Sequence, residues 1–80
     1  MPARKRVGLS IIVGENVKRL RLRANMSQTA LAEAAGVRQA SISSIESGDR
    51  GASMMMLMAI AKALGVSSTS LFKESKGKEI

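Results

Sequence analysis

The side chains best suited to specific polar contacts lie between Gln28 and Ser47. Ser27 precedes a short run from Gln28 to Ala35, Gly36 interrupts it, and a second run extends from about Arg38 to Ser47. Placed at 100° per residue, Ile42, Ile45 and Glu46 share one side of the second run. Ala40, Ser43, Ser44 and Ser47 share the opposite side, with Gln39 on the border near its start. The outward face is therefore small and polar. Its chemistry is hydrogen bonding: an amide that both donates and accepts, hydroxyls that do either, and a guanidinium at Arg38 that only donates.

No reaction chemistry accompanies that face. The chain has no Cys, His, Trp or Tyr, which excludes disulfides, thiolate metal sites, cysteine nucleophiles and imidazole catalysis. Ser70-Leu71-Phe72-Lys73 matches the S-x-x-K nucleophile pattern, but its companion motifs are missing, so a chance match is the better reading. No carboxylate pair, phosphate-cradling glycine loop or metal cluster stands out. Neither enzymatic activity nor a cofactor or metal is expected.

The elements that must hold the polar face are short helices. A first helix is predicted from about Ser10 to Ala24, with Ile12, Val13, Val17 and Leu20 as its buried stripe and Asn25 as its stop. Ser27 is suited to cap the second helix, whose small alanines let a neighbour approach, and Gly36 to end it in the left-handed conformation. Gly48 ends the third helix, and Asp49-Arg50-Gly51 forms a loop. Ser53 caps a fourth helix from Met54 to Leu64, with Met54, Leu57, Ile60, Ala61 and Leu64 facing inward and Gly65 after it. Ser67 or Ser68 opens a last short turn carrying Leu71 and Phe72. The pattern divides the chain into a basic flexible arm over 1–9, a helical domain over 10–73 and a polar tail over 74–80. No strand alternation, internal repeat or linker is present.

The 80 residues carry 13 Lys and Arg against 6 Asp and Glu, a formal charge of +7. Such an excess favours polyanionic partners, either nucleic acid or an anionic membrane surface. Arg4, Lys5, Arg6, Lys18, Arg19, Arg21 and Arg23 crowd the start, opposed there only by Glu15. No apolar run approaches the ~20 residues of a membrane span. The segment Gly8 to Gly14 is too short for a secretory leader and lacks a cleavage pattern, so the expected compartment is the cytoplasm. The basic residues also do not oppose one broad apolar face with interfacial aromatics, which argues against a membrane-surface role.

MSQTALAEAAGV, then SISSIESGDR, then LMAIAKALGVSSTSLF closely resemble the helix-turn-helix family of lambdoid phage repressors and Cro proteins, the XRE family. The resemblance runs from about Val13 to Phe72. It implies an all-α, five-helix bundle of the lambda-repressor type that binds pseudo-palindromic double-stranded DNA as a homodimer. It implies a phosphate contact for Gln28, which suits an amide at a helix N-terminus. It places Gln39, Ala40, Ser43 and Ser44 at base-reading positions. Gln39 can bond adenine bidentately, Ala40 can touch a thymine methyl, and serine bonds several bases without choosing sharply. Relatives often carry Gln, Arg or Thr where this chain has Ala40 and Ser44. Arg38 stands where the family often has a capping Ser or Thr; it forgoes a cap of about 1 kcal/mol and gains a phosphate or guanine donor. Direct readout is thus expected to rest mainly on Gln39, with the remainder falling to Arg38, DNA shape and dimer spacing. Arg50 in the loop, and Arg4 and Arg6 in the arm, are further candidates for DNA contact.

The family also implies a buried structural ion pair between Arg21 and Glu46. Met54 to Met56 and Met58 are split by helical spacing: Met54 inward, Met55 outward where relatives carry polar residues, Met58 on the flank. Met55, Met58, Val66, Leu71 and Phe72 are expected to form a homodimer interface. Glu33 is the sole acidic residue on the first helix of the pair, which favours repression. A prophage regulator, a controller of a restriction–modification operon and the antitoxin of a toxin–antitoxin pair, with a toxin as protein partner, all fit. With the helix-turn-helix taking most of the 80 residues, control by concentration, degradation or a partner protein is expected over a small ligand.

Overall fold

The computed structural model describes residues 8–49 and 51–73. They form α1 (Leu9–Arg23), α2 (Gln28–Ala35), α3 (Gln39–Ser47), α4 (Met54–Leu64) and a closing 3-10 turn, Ser68–Phe72. The expected five-helix, all-α architecture is therefore present, its last member being the 3-10 turn. The arm, Arg4 and Arg6, the loop residue Arg50 and the tail lie outside the described residues.

Local signals account for most of the boundaries. Ser27 Oγ accepts from the Ala30 N–H at 2.9 Å, and Ser53 Oγ from the Met56 N–H at 3.1 Å, capping α2 and α4. Between α2 and α3, Gly36 adopts φ 74°, and the Val37 N–H turns back to the Ala32 carbonyl at 3.0 Å. That bond satisfies an orphan carbonyl and swings the chain sharply into α3. Arg38 is the residue before α3, in extended backbone with no side-chain cap, so α3 begins one residue later than its pattern suggested. Asn25 ends α1 at φ 59°, a left-handed conformation asparagine tolerates better than most residues.

The core consists of Val13, Val17, Leu31, Ala32, Ile42, Ile45, Leu57, Ile60, Ala61 and Leu71, drawn from all five elements. α1 packs on α3, α2 on α3 and α4, and the 3-10 turn closes against α1 and α4. Two expectations need correction. Met54 does not face the core: it is 54% exposed, because as the first residue of α4 it projects beyond the end of the packed interior. Leu71, expected on a dimer surface, is fully buried within the single chain, since the 3-10 turn folds it inward against α1 and α4.

Two buried residues on α1 have no counterpart in the expected stripe. Gly14 lies against α3 so closely that a Cβ there would collide with the Ile45 carbonyl oxygen. A close helix approach is thus made at a glycine of α1. Asn16, 1% exposed, donates from Nδ2 to the carbonyls of Leu71 and Lys73, each at 2.7 Å, while Arg19 donates to its Oδ1 at 2.9 Å. The helical spacing does hold a signal for both. Gly14, Val17 and Arg21 share one strip of α1, and Asn16 falls between Val13 and Leu20 on the adjoining apolar strip.

Candidate nucleic-acid interface

α3 is presented by what lies behind it. Ile42 and Ile45 are buried, so the helix is held through its apolar side by α1 and α2. Its other side bears Gln39, Ala40, Ser43 and Ser47, all exposed, with Arg38 exposed just before its first turn. No side chain longer than glutamine stands on that open face. Ser44 is half-buried and lines a shallow depression with Ser41, Gly51, Ala52 and Ser53, between α3 and the start of α4. Of the predicted reading residues, the structure thus gathers Arg38, Gln39, Ala40 and Ser43 on one accessible surface and partly withdraws Ser44.

Behind this surface runs a chain of hydrogen bonds. Arg21 grips Glu46 with two of them, Nε to Oε2 at 2.6 Å and Nη2 to Oε1 at 3.1 Å, and its Nη1 donates to the Met26 carbonyl at 2.8 Å. The Glu46 side chain is only 5% exposed, so its charge is compensated almost wholly by protein donors. Hydrogen bonds donated to the Glu46 carboxylate raise the Arg21 guanidinium above its ordinary pKa, opposed by burial and aided by the carboxylate's charge. A basic group whose folded value is raised stabilises at every pH below its unfolded value and loses that contribution only as pH climbs through the folded one. The Arg21 contribution is therefore undiminished across the neutral range.

From the buried pair the chain continues outward. Gln28 donates from Nε2 to Glu46 Oε1 at 3.0 Å, and Gln39 donates from Nε2 to Gln28 Oε1 at 2.6 Å. Gln28, at the first position of α2, thus links a buried carboxylate to the exposed amide at the first position of α3. The bond to Glu46 is the contact that reasoning from sequence missed: the residues are 18 apart and on different helices, and no local periodicity connects them.

On the opposite flank, Met55 is 81% and Met58 55% exposed on α4, while Val66 and Phe72 are half-buried. Met54, Leu9, Val13, Leu57 and Phe72 border an open apolar groove between α1 and α4. Among the described residues no group of His, Cys, Asp or Glu could hold a metal ion, and no helix is long and apolar enough to cross a membrane.

The arrangement matches known proteins. The helix-turn-helix family model HTH_3 covers residues 17–71. The DNA-binding domain at the N-terminus of SinR from Bacillus subtilis superposes with a TM-score of 0.76 at 32% identity, over 81% of this chain and 96% of that one. SinR, the master regulator for biofilm formation, in complex with DNA gives a TM-score of 0.73 at 32% identity, over 76% and 98%. The restriction–modification controller C.AhdI from Aeromonas hydrophila gives 0.76 at 27% identity, over 79% and 96%. No curated protein sequence matches the chain significantly. With the family pattern spanning both helices of the pair and the bundle that holds them, the chain belongs to the XRE-type helix-turn-helix family of DNA-binding transcriptional regulators.

Proposed function

We propose that this protein represses transcription by binding a pseudo-palindromic operator as a homodimer. The observation that carries the reading is the exposed small-residue face of α3, with Arg38 and Gln39 at its leading end. A helix so bare can enter a major groove ~12 Å wide without steric conflict. Gln39 then meets an adenine edge, Ala40 and Ser43 line the neighbouring bases, and Arg38 takes a phosphate or a guanine. Gln28 and the N-terminus of α2 meet the backbone, where aligned N–H groups favour an anion. The formal charge of +7 supplies the sequence-independent attraction. The exposed Met55 and Met58 flank, with Phe72 and Val66, meets the same surface of a second copy, which sets two α3 helices about one helical turn of DNA apart.

A narrower role as controller of a restriction–modification operon is supported by the likeness to C.AhdI, a chain covered over 96% of its length. A concrete test is selection of bound duplexes from a random pool at moderate salt. The reading expects an enriched, inverted-repeat site with half-sites about one turn apart. Enrichment of no duplex would refute DNA binding, and a single unrepeated half-site would refute the dimer.

A further inference from the structure

We infer that Glu46, although buried and remote from the reading surface, is a specificity-determining positioning residue: it sets Gln39 to accept adenine and reject guanine. This inference rests on the proposed reading of DNA by α3. Its physical basis is the direction of the hydrogen bonds that run from Arg21 through Glu46 and Gln28 to Gln39.

A carboxylate has acceptors and no donor. Gln28, 3.0 Å from Glu46 Oε1, must therefore turn its Nε2 toward that oxygen. Its Oε1 then faces Gln39, so Gln39 must donate, and it does so at 2.6 Å. Each amide orientation follows from the one before, and the first is dictated by a charge that cannot reverse its role. Arg21 holds that charge in place with two bonds and is itself anchored on the Met26 carbonyl.

The consequence falls on Gln39. A glutamine amide has two N–H groups and one carbonyl oxygen. One N–H is consumed by Gln28, leaving one donor and one acceptor for DNA. Adenine presents N7 as acceptor and N6–H as donor, which matches that remainder. Guanine presents two acceptors, N7 and O6, which would call for both N–H groups. Gln39 has only one to spare, so its guanine mode is closed by a bond on the protein side. A glutamine free of this constraint could swing both N–H groups into the groove.

Two substitutions release it by different routes. Glu46→Gln keeps the shape of the side chain but puts an N–H in place of the oxygen that accepts from both Gln28 and Arg21, so at the loss of one Arg21 bond Gln28 can flip and donate to Gln39, freeing both N–H groups of Gln39. Gln28→Met removes the acceptor facing Gln39 and leaves the Arg21–Glu46 pair intact. It sits at a half-buried position in the first turn of α2, so it carries the test if Glu46→Gln does not fold.

The experiment is selection from random duplexes with the full chain. Gln39→Ala identifies the base pair that Gln39 reads, as the position whose preference collapses. The adenine-to-guanine ratio at that pair is then compared between the wild type, Gln28→Met and Glu46→Gln. The expected result is a fall of about tenfold in that ratio, with the other positions of the half-site unchanged. A ratio that stays constant in the folded variants overturns the inference. So does an equal loss of preference at every position, which would mark a merely structural role. An enriched site without adenine at the Gln39 pair also overturns it while leaving DNA binding intact. Failure of the wild type to enrich any duplex removes both.

Discussion

The two flanks of the bundle are built on opposite principles. Where α1 meets α3, a glycine admits the Ile45 carbonyl at a distance no other residue allows, and a buried ion pair fastens the two helices about two turns further along α1. Where α4 meets solvent, methionines stand out 54–81% exposed beside an open apolar groove. The first contact has few alternative arrangements, because carboxylate, guanidinium and backbone each dictate the others. The second is soft: methionine is unbranched and repacks readily. A surface that discriminates between bases needs the former behind it, and a surface that joins two identical subunits can use the latter.

The comparison breaks most readily at Arg21. Arg21→Ala leaves Glu46 buried without its partner, at a cost of about 3–5 kcal/mol. Domains of this size have only about 4–12 kcal/mol in total, so the variant is expected to be left with a small margin and to melt far below the wild type by circular dichroism. The double variant Arg21→Met with Glu46→Leu removes both charges and should recover most of the lost melting temperature. Equal melting temperatures for Arg21→Ala and the wild type would show that the rigid flank does not depend on the pair.

Gly14→Ala is expected to cost about 3 kcal/mol, the upper end of ordinary overpacking, because the new methyl group meets a backbone carbonyl that cannot swing aside. A urea titration measures it. A change below ~0.5 kcal/mol would mean that α1 can slide on α3 without penalty. The smallest effect on stability is expected on the soft flank. Met55→Lys should alter unfolding by no more than ~0.5 kcal/mol yet shift sedimentation from dimer to monomer. If dimerisation persists unchanged, Met55 lies outside the contact between subunits.

Much of this organisation was legible from residue order. Ser27 and Ser53 announce helix starts, Gly36, Gly48 and Gly65 announce ends, and all three glycines take positive φ. These features are local: a cap and its N–H lie three residues apart. The illegible part is non-local or depends on depth. Met54 fits the apolar stripe of α4 by angle, yet the stripe extends one turn beyond the packed interior. Leu71 reads as an external residue because a turn of five residues is too short to show an apolar period and hence which way it folds. Gly14 within a helix reads as a mild defect until α3 is seen against it. Of the reading site, the exposed face of α3 followed from spacing and family resemblance. The link from Gln28 to Glu46 did not, since it exists only once three helices are assembled.

Asn16 ties these observations to the order in which the protein is made. Its amide nitrogen is buried in α1 and finds its acceptors only at the Leu71 and Lys73 carbonyls, 55 and 57 residues later. During synthesis α1 emerges first, but this polar group remains without its native partners until the closing turn has also left the ribosome. The α2–α3 pair depends on short-range contacts and can assemble earlier. The helix that steadies the reading surface therefore lacks this native anchor in any nascent chain not yet extended through Lys73.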